Sequence, residues 1–478
     1  MKSSNNLDSL FNPRSVAIVG ASANPTKMGY RYLHQLIQFG FEGNLYPVNP
    51  AGGTILGLPA YKSFKDLPAP VDYVISAIPA DQLPILIRDC ATKEVKLLQL
   101  YTAHLGETEG GKSLEQQIIK MARDAGIRIL GPNCMGVYNP RNKLTFRLGW
   151  PKEAGDVAFI SQSAGHTAEA VYRAARRGLR FSQVISFGNA ADINEIDLLQ
   201  YLAEDSNTRI IAAYIEGLKA PERFHQVLET TSRKKPVILL KGGRTAAGRR
   251  ATLSHTGSLS GGDVLWSSLM KQCGVVTASS IEELVDLTLA IHNLPQPKGI
   301  NVGAIGSGGG LSVSIADECE SRGLVLPAFP PDITAKIEKI LGKDSSMVKN
   351  PVDTSVIFPA GWTGSEVKQI FQLMVEHPDF HMYLVDAGEW SLDSPEELPR
   401  FHELIEIFRD VAKGLGKPVV IVIRPGDTPE EWRWRATIEA EKECIRDGLT
   451  VYPSLSRAAN ALSRLVNFYH ERALSNDS

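Results

Sequence analysis

No uninterrupted apolar run among the 478 residues approaches the ~18–20 that a membrane span requires, and the opening Met-Lys-Ser-Ser-Asn-Asn has no apolar signal core. A cytoplasmic protein with no membrane partner is expected. Basic residues are in no excess. The 51 Lys and Arg face 53 Asp and Glu, and a net charge of -2 leaves nothing to neutralise a nucleic-acid backbone. Cys90, Cys134, Cys273, Cys319 and Cys444 are odd in number, scattered and without a Cys-x-x-Cys pair, which argues against a disulfide framework and a zinc site. Each reads as a small reduced core residue, and Cys134 is set apart only by the glycine-rich loop around it. Short-period repeats and low-complexity tracts are also missing, which excludes a solenoid.

What is present is an ordinary globular composition, 43% hydrophobic and 22% charged, at a length suggesting three domains of ~150 residues. Short β-branched runs alternate with helical patterns throughout, the signature of α/β layers with parallel sheets. A first series has strand candidates at 15–20, 44–48, 73–78, 96–100 and 128–130. Asn139-Pro-Arg-Asn-Lys143 breaks the pattern, and a second series runs 157–161, 183–187, 209–215, 236–241 and 275–278. The proline-interrupted stretch 294–299 precedes a third, at 301–305, 324–326, 382–385, 419–423 and 450–452. The expected domains are 1–145, 150–295 and 298–478.

The first strand runs into Gly20-Ala-Ser-Ala-Asn-Pro-Thr-Lys27, where Gly20, Ser22 and Lys27 offer backbone amides, a hydroxyl and a positive charge to phosphates. A nicotinamide fold would show Gly-x-Gly-x-x-Gly and an acid about 20 residues on. Here the glycine spacing differs, and the second strand ends Tyr46-Pro-Val-Asn-Pro50 with no acid. A nicotinamide oxidoreductase is therefore disfavoured.

His255 lies in Ser254-His-Thr-Gly-Ser258, which reads as a loop of small and hydroxylated residues. Such a setting has room and donors for a phosphoryl group carried on an imidazole. A histidine accepts phosphoryl only through a neutral ring nitrogen, so a partner must fix the tautomer and steady the charge that develops. Two further glycine or serine loops follow strands and open helices. They hold Ser161, Gln162 and Ser163 in one case, and Ser307, Gly308 and Gly309 in the other. Helix amino ends of this kind suit anions.

Asn12-Pro-Arg-Ser-Val-Ala-Ile-Val-Gly-Ala-Ser, Leu45-Tyr-Pro-Val-Asn-Pro50 and Gly131-Pro-Asn-Cys-Met-Gly136 resemble the CoA-binding domain of NDP-forming acyl-CoA synthetases. That superfamily includes the α subunit of succinyl-CoA synthetase and the ADP-forming acetyl-CoA synthetases. The resemblance covers about residues 10–465. It implies an α/β fold with an N-terminal Rossmann-like CoA-binding domain and two flavodoxin-like, succinyl-CoA synthetase-like domains. It implies that Gly20, Ser22 and Lys27 face the CoA phosphates, that Asn49, Ile78 and Pro79 lie near the adenosine, and that Asn133 lies near the pantetheine end. His255 becomes the phosphohistidine, Glu216 its carboxylate partner, and the two glycine or serine loops its phosphate cradles. Gly188 to Asp192, Asp197, Tyr201, Asp205 and Asn350-Pro-Val-Asp353 follow the same pattern.

The chain has no room for the ATP-grasp module that binds nucleotide in relatives. A separate ATP-grasp β subunit is expected, in an α2β2 assembly, carrying ATP/ADP and Mg. No metal site is expected in this chain, and its substrate is a small organic acid. Tyr101-Thr-Ala-His104 and Ser163-Ala-Gly-His166 depart from the usual family sequence, and an acid pocket reshaped by His104 and His166 is one explanation. The alternative to a ligase is a non-catalytic CoA-binding regulatory paralogue.

Overall fold

The computed structural model describes residues 7–68, 70–103, 105, 109–256, 263–306, 308–341, 348–357, 363–388, 392–424 and 429–476. The chain divides into two compact units, Met1–Leu284 and Val285–Ser478. The first unit holds two large sheets, besides a two-stranded antiparallel pair at Thr54–Ile55 and Leu58–Pro59. One is built from β1 (Ser15–Val19), β2 (Asn44–Val48), β3 (Tyr73–Ser76), β4 (Leu97–Leu100) and β5 (Arg128–Leu130). The other is built from β6 (Gly136–Tyr138), β7 (Val157–Ser161), β8 (Phe181–Ser186), β9 (Ile210–Ile215), β10 (Val237–Lys241) and β11 (Val276–Ala278). The second unit has β12 (Val302–Gly306), β13 (Val352–Asp353), β14 (Met382–Asp386), β15 (Val419–Val422) and β16 (Thr450–Tyr452).

The sheets run β2-β1-β3-β4-β5, β8-β7-β9-β10-β11 and β13-β12-β14-β15-β16. Each therefore has the doubly wound order 2-1-3-4-5 and is parallel throughout those five strands. Helices cover such sheets on both faces, which is why their strands are continuous apolar runs. Every residue of β7, β9 and β10 is buried. In each sheet the winding reverses between the first and third strand, and ligands of open α/β sheets bind beyond that crevice.

Three elements differ from expectation. β6 follows the last strand of the first sheet but pairs antiparallel with β8 of the second, Val184 opposite Tyr138. Residues 324–326, read as a strand, make only an isolated bridge between Asn301 and Val325. Pro327 follows directly and has no N–H to extend the ladder, so β13 takes the edge position. Residues around His255 also differ. The backbone is helical over α4 (Ala246–Thr256), and its Ala-Ala-Gly-Arg-Arg-Ala-Thr-Leu start contains good helix formers that the loop reading underweighted.

Candidate active site

β1 runs into Gly20, whose φ of +87° suits glycine. A Cβ there would lie 2.8 Å from Ala77 O and 2.9 Å from Ile78 Cγ2, so the reversal point of the first sheet closes only around a glycine. The Gly20 and Ala21 amides both donate to Val48 O at 3.1 Å. Asn49 clips the same turn, its Nδ2 donating to Ala21 O at 2.7 Å and its Oδ1 accepting from Ala51 N at 2.8 Å. Across the crevice, Ile78 O accepts from Thr102 Oγ1 at 2.8 Å, and Thr102 O accepts from Asn133 N at 2.9 Å. Gly20, Asn49, Ile78 and Asn133 thus belong to one bonded rim. Ser22, whose Oγ accepts from Asn24 N at 3.0 Å, lies on the loop leaving it, with exposed Lys27 beyond; exposed Pro79 follows Ile78. Lys27 immediately precedes the helix α1 (Met28–Phe39).

The rim continues into the second sheet. Asn189 N donates to Pro132 O, Ala191 N to Gly131 O and Ile193 N to Ile129 O, each at 3.0 Å. Arg128 binds Asp192 at 2.9 Å and Asp197 at 3.0 Å, and Asn194 caps the helix α3 (Glu195–Glu204). The loop after β8 is therefore laced to the loop that carries Asn133.

The reversal point of the second sheet brings Ser161, Gln162, Ser163 and Glu216 together. Gln162 Oε1 accepts from the Glu216 and Gly217 amides, while Nε2 donates to Gly217 O at 3.2 Å. Lys241, also buried, donates to Glu216 O at 2.7 Å. Tyr214 Oη donates to Glu216 Oε1 at 3.2 Å. Burial and the Glu216 charge push the Tyr214 phenol well up, so it remains a donor. Ser161 Oγ ties Ser163 N at 3.1 Å, and Ser163 caps the helix α2 (Ala164–Arg176) by accepting from His166 N at 3.3 Å. Among the described residues, no partner takes the exposed Ala164 and Gly165 amides, so this helix start is open to an anion. The backbone of His255 lies at the end of α4, which follows β10. Its side chain lies outside the described residues, as does His104.

The carboxyl group of Glu195 is fully buried at the start of α3, and among the described residues neither oxygen has a hydrogen-bond partner. Burial pushes it up to about 7, opposed in part by the Lys219 charge. No sequence signal marked it.

In the second unit, Gly308 and Gly309 stand at the start of α5 (Gly309–Glu320), with Gly308 at φ +113°. Ser307 lies outside the described residues. Asp353 Oδ1 accepts from the Gly308 amide at 2.7 Å and from Ser355 N at 2.8 Å. The Gly308 N–H offered to a phosphate by resemblance is therefore engaged by a carboxylate here. Asn350 mimics a strand edge, pairing with Ala304 N and Val302 O at 2.9 Å each. Beside this turn Asp386, at the end of β14, is buried against Arg424 at 2.6 Å.

A CoA-binding domain family matches residues 14–140, and a succinyl-CoA ligase-like flavodoxin domain family matches 154–291. The α subunit of ADP-forming acetate–CoA ligase I from Pyrococcus furiosus is 37% identical over 473 residues, 97% of each chain. The chain belongs to the NDP-forming acyl-CoA synthetase superfamily, on its α-subunit side. The ADP-forming acetate–CoA ligase of Methanocaldococcus jannaschii is 38% identical over 343 residues, 71% of this chain and 48% of that longer one. Among solved structures, acetyl-coenzyme A synthetase 1 of Candidatus Korarchaeum cryptofilum, in complex with phosphate and ADP, superposes with a TM-score of 0.83. It is 30% identical and matches 99% of both chains. Membership in this synthetase superfamily carries the general function of a CoA ligase, with CoA and a nucleotide as reactants.

Proposed function

We propose that this synthetase chain is the α component of an ADP-forming acid–CoA ligase that works through a phosphorylated His255. The observation that carries the reading is Glu216. Its main chain is held by Gln162 and Lys241 and its carboxylate by Tyr214, beside the open start of α2. A fixed carboxylate is what an imidazole needs to keep one nitrogen protonated while the other reacts.

The free nitrogen of His255 attacks the γ-phosphorus of ATP held on an ATP-grasp β subunit, and the bond to ADP breaks. A carboxylate oxygen of the organic acid then attacks that phosphorus, the N–P bond breaks, and an acyl phosphate forms. The CoA thiol, losing its proton, attacks the acyl carbon and phosphate leaves. The residues around Gly20 fit a phosphate-bearing ligand, because a positive-φ glycine, the Ser22 hydroxyl and the exposed Lys27 ammonium adjoin a helix start. The chain contributes placement and charge stabilisation. The α2β2 assembly, magnesium on the partner and a cytoplasmic location belong to the same reading.

The test is incubation with γ-labelled ATP and the partner subunit. Label bound to this chain, labile in acid and stable in base, is expected, with none in His255→Ala. Label retained in that variant would move the carrier to another residue. A non-catalytic paralogue would take up no label and still bind CoA.

A further inference from the structure

We propose that Tyr214 is a positioning residue for Glu216 and that His166 holds Tyr214 in that role, an inference resting on the phosphoryl chemistry proposed above. Three contacts fix the Tyr214 ring. Its hydroxyl donates to Glu216 Oε1 at 3.2 Å. The His166 imidazole lies flat on one face, with centroids 4.3 Å apart and planes 6° from parallel. Beyond its hydroxyl is Gly242, where a Cβ would come within 2.6 Å of Oη and 3.1 Å of Glu216 Cγ. The imidazole is held in turn, with Nδ1 3.0 Å from the hydroxyl oxygen of Ser163, the residue that caps α2.

Gln162 and Lys241 hold the main chain of Glu216, and the direction of its carboxylate is set separately, by what its oxygens meet. A group that must steady a short-lived charge works only if its own direction is locked by neighbours. The Tyr214 hydroxyl supplies such a lock on the carboxylate, and the stacked imidazole keeps the phenol from swinging away. His166 thereby gains a role at the end of β9, through the ring it stacks on.

The experiment is a double-mutant cycle read by single-turnover phosphorylation of this chain with its partner, which stays measurable at low activity. Wild type and Glu216→Gln come first; equal rates would overturn the reading of Glu216 itself. Tyr214→Phe, which keeps the ring and its packing, is expected to slow phosphorylation roughly tenfold with KM for ATP within about twofold. In the Glu216→Gln background it should change the rate by less than about twofold, because the group it positions is gone. His166→Leu should slow the reaction in the same direction and add little to Tyr214→Phe. A loss that multiplies in the Glu216→Gln background, or no loss in wild type, overturns the proposal. Should Tyr214→Phe fail to fold, His166→Leu tested across the same background gives the same decision.

Discussion

Replacing Glu195 by Gln tests whether a carboxyl group is kept in the fold at a cost to stability. The side chain is fully buried, has no hydrogen-bond partner on either oxygen among the described residues, and titrates at about 7 against an ordinary value of 4.5. Burial raises the value because it disfavours the charged form, and the Lys219 ammonium offsets only part of that. The folded state therefore holds a proton that the unfolded chain has already released between pH 4.5 and 7. In that window the unfolded state binds fewer protons, so stability falls as pH rises and stays lower above pH 7. At about 1.4 kcal/mol for each tenfold difference in proton affinity between the two states, the loss is on the order of 3 kcal/mol. Glu195→Gln keeps the shape and cannot ionise. Urea unfolding of both chains from pH 4.5 to 8.5, read from the transition that the substitution moves, should show the variant gaining on wild type by roughly that amount across the range. A variant-minus-wild-type difference that stays flat with pH refutes the argument, since a purely steric effect has no reason to follow proton concentration.

Two further outcomes come from geometry elsewhere in the first unit. A Cβ on Gly29 would fall 1.9 Å from Gly20 O, so Gly29→Ala should push α1 off the end of β1. Its CoA affinity, measured by titration calorimetry, should drop at least about tenfold and its stability by roughly 1–3 kcal/mol; unchanged CoA binding would remove Gly20 and Lys27 from that role. The Cys134 thiol is only 2% exposed and is pushed far up by burial, so a thiol reagent at pH 8 should leave it unmodified in the folded chain and reach it in denaturant. Fast native labelling at Cys134, located by mass spectrometry, would contradict its burial.

Much of the architecture was legible because parallel strands buried on both faces leave continuous apolar runs. The runs at 157–161 and 210–215 needed no tertiary information, and the small-residue loops after them pointed at the reversal crevices. β6 was not legible. Its three residues lie among Gly, Pro and Asn, and its partner is a strand almost 50 positions away. The end of α4 reads as a loop in the sequence because Ser and Thr near His255 outweigh the Ala and Arg before them. At the site, Glu216 and the Gly20 rim were marked by motif. The Tyr214–His166 stack and the unpaired Glu195 were not, because ring geometry and missing partners exist only once three loops converge.

β6 also decides how this molecule can be divided. A fragment begun just after Tyr138 would leave β8 as a bare sheet margin, with unpaired backbone groups able to recruit foreign chains. A fragment extended through Tyr138 would carry an orphan ribbon with nothing to zip onto. Shuffling the CoA-binding module between proteins therefore requires moving this short ribbon's docking groove along with it, so the inherited seam runs through a β-ladder rather than a linker.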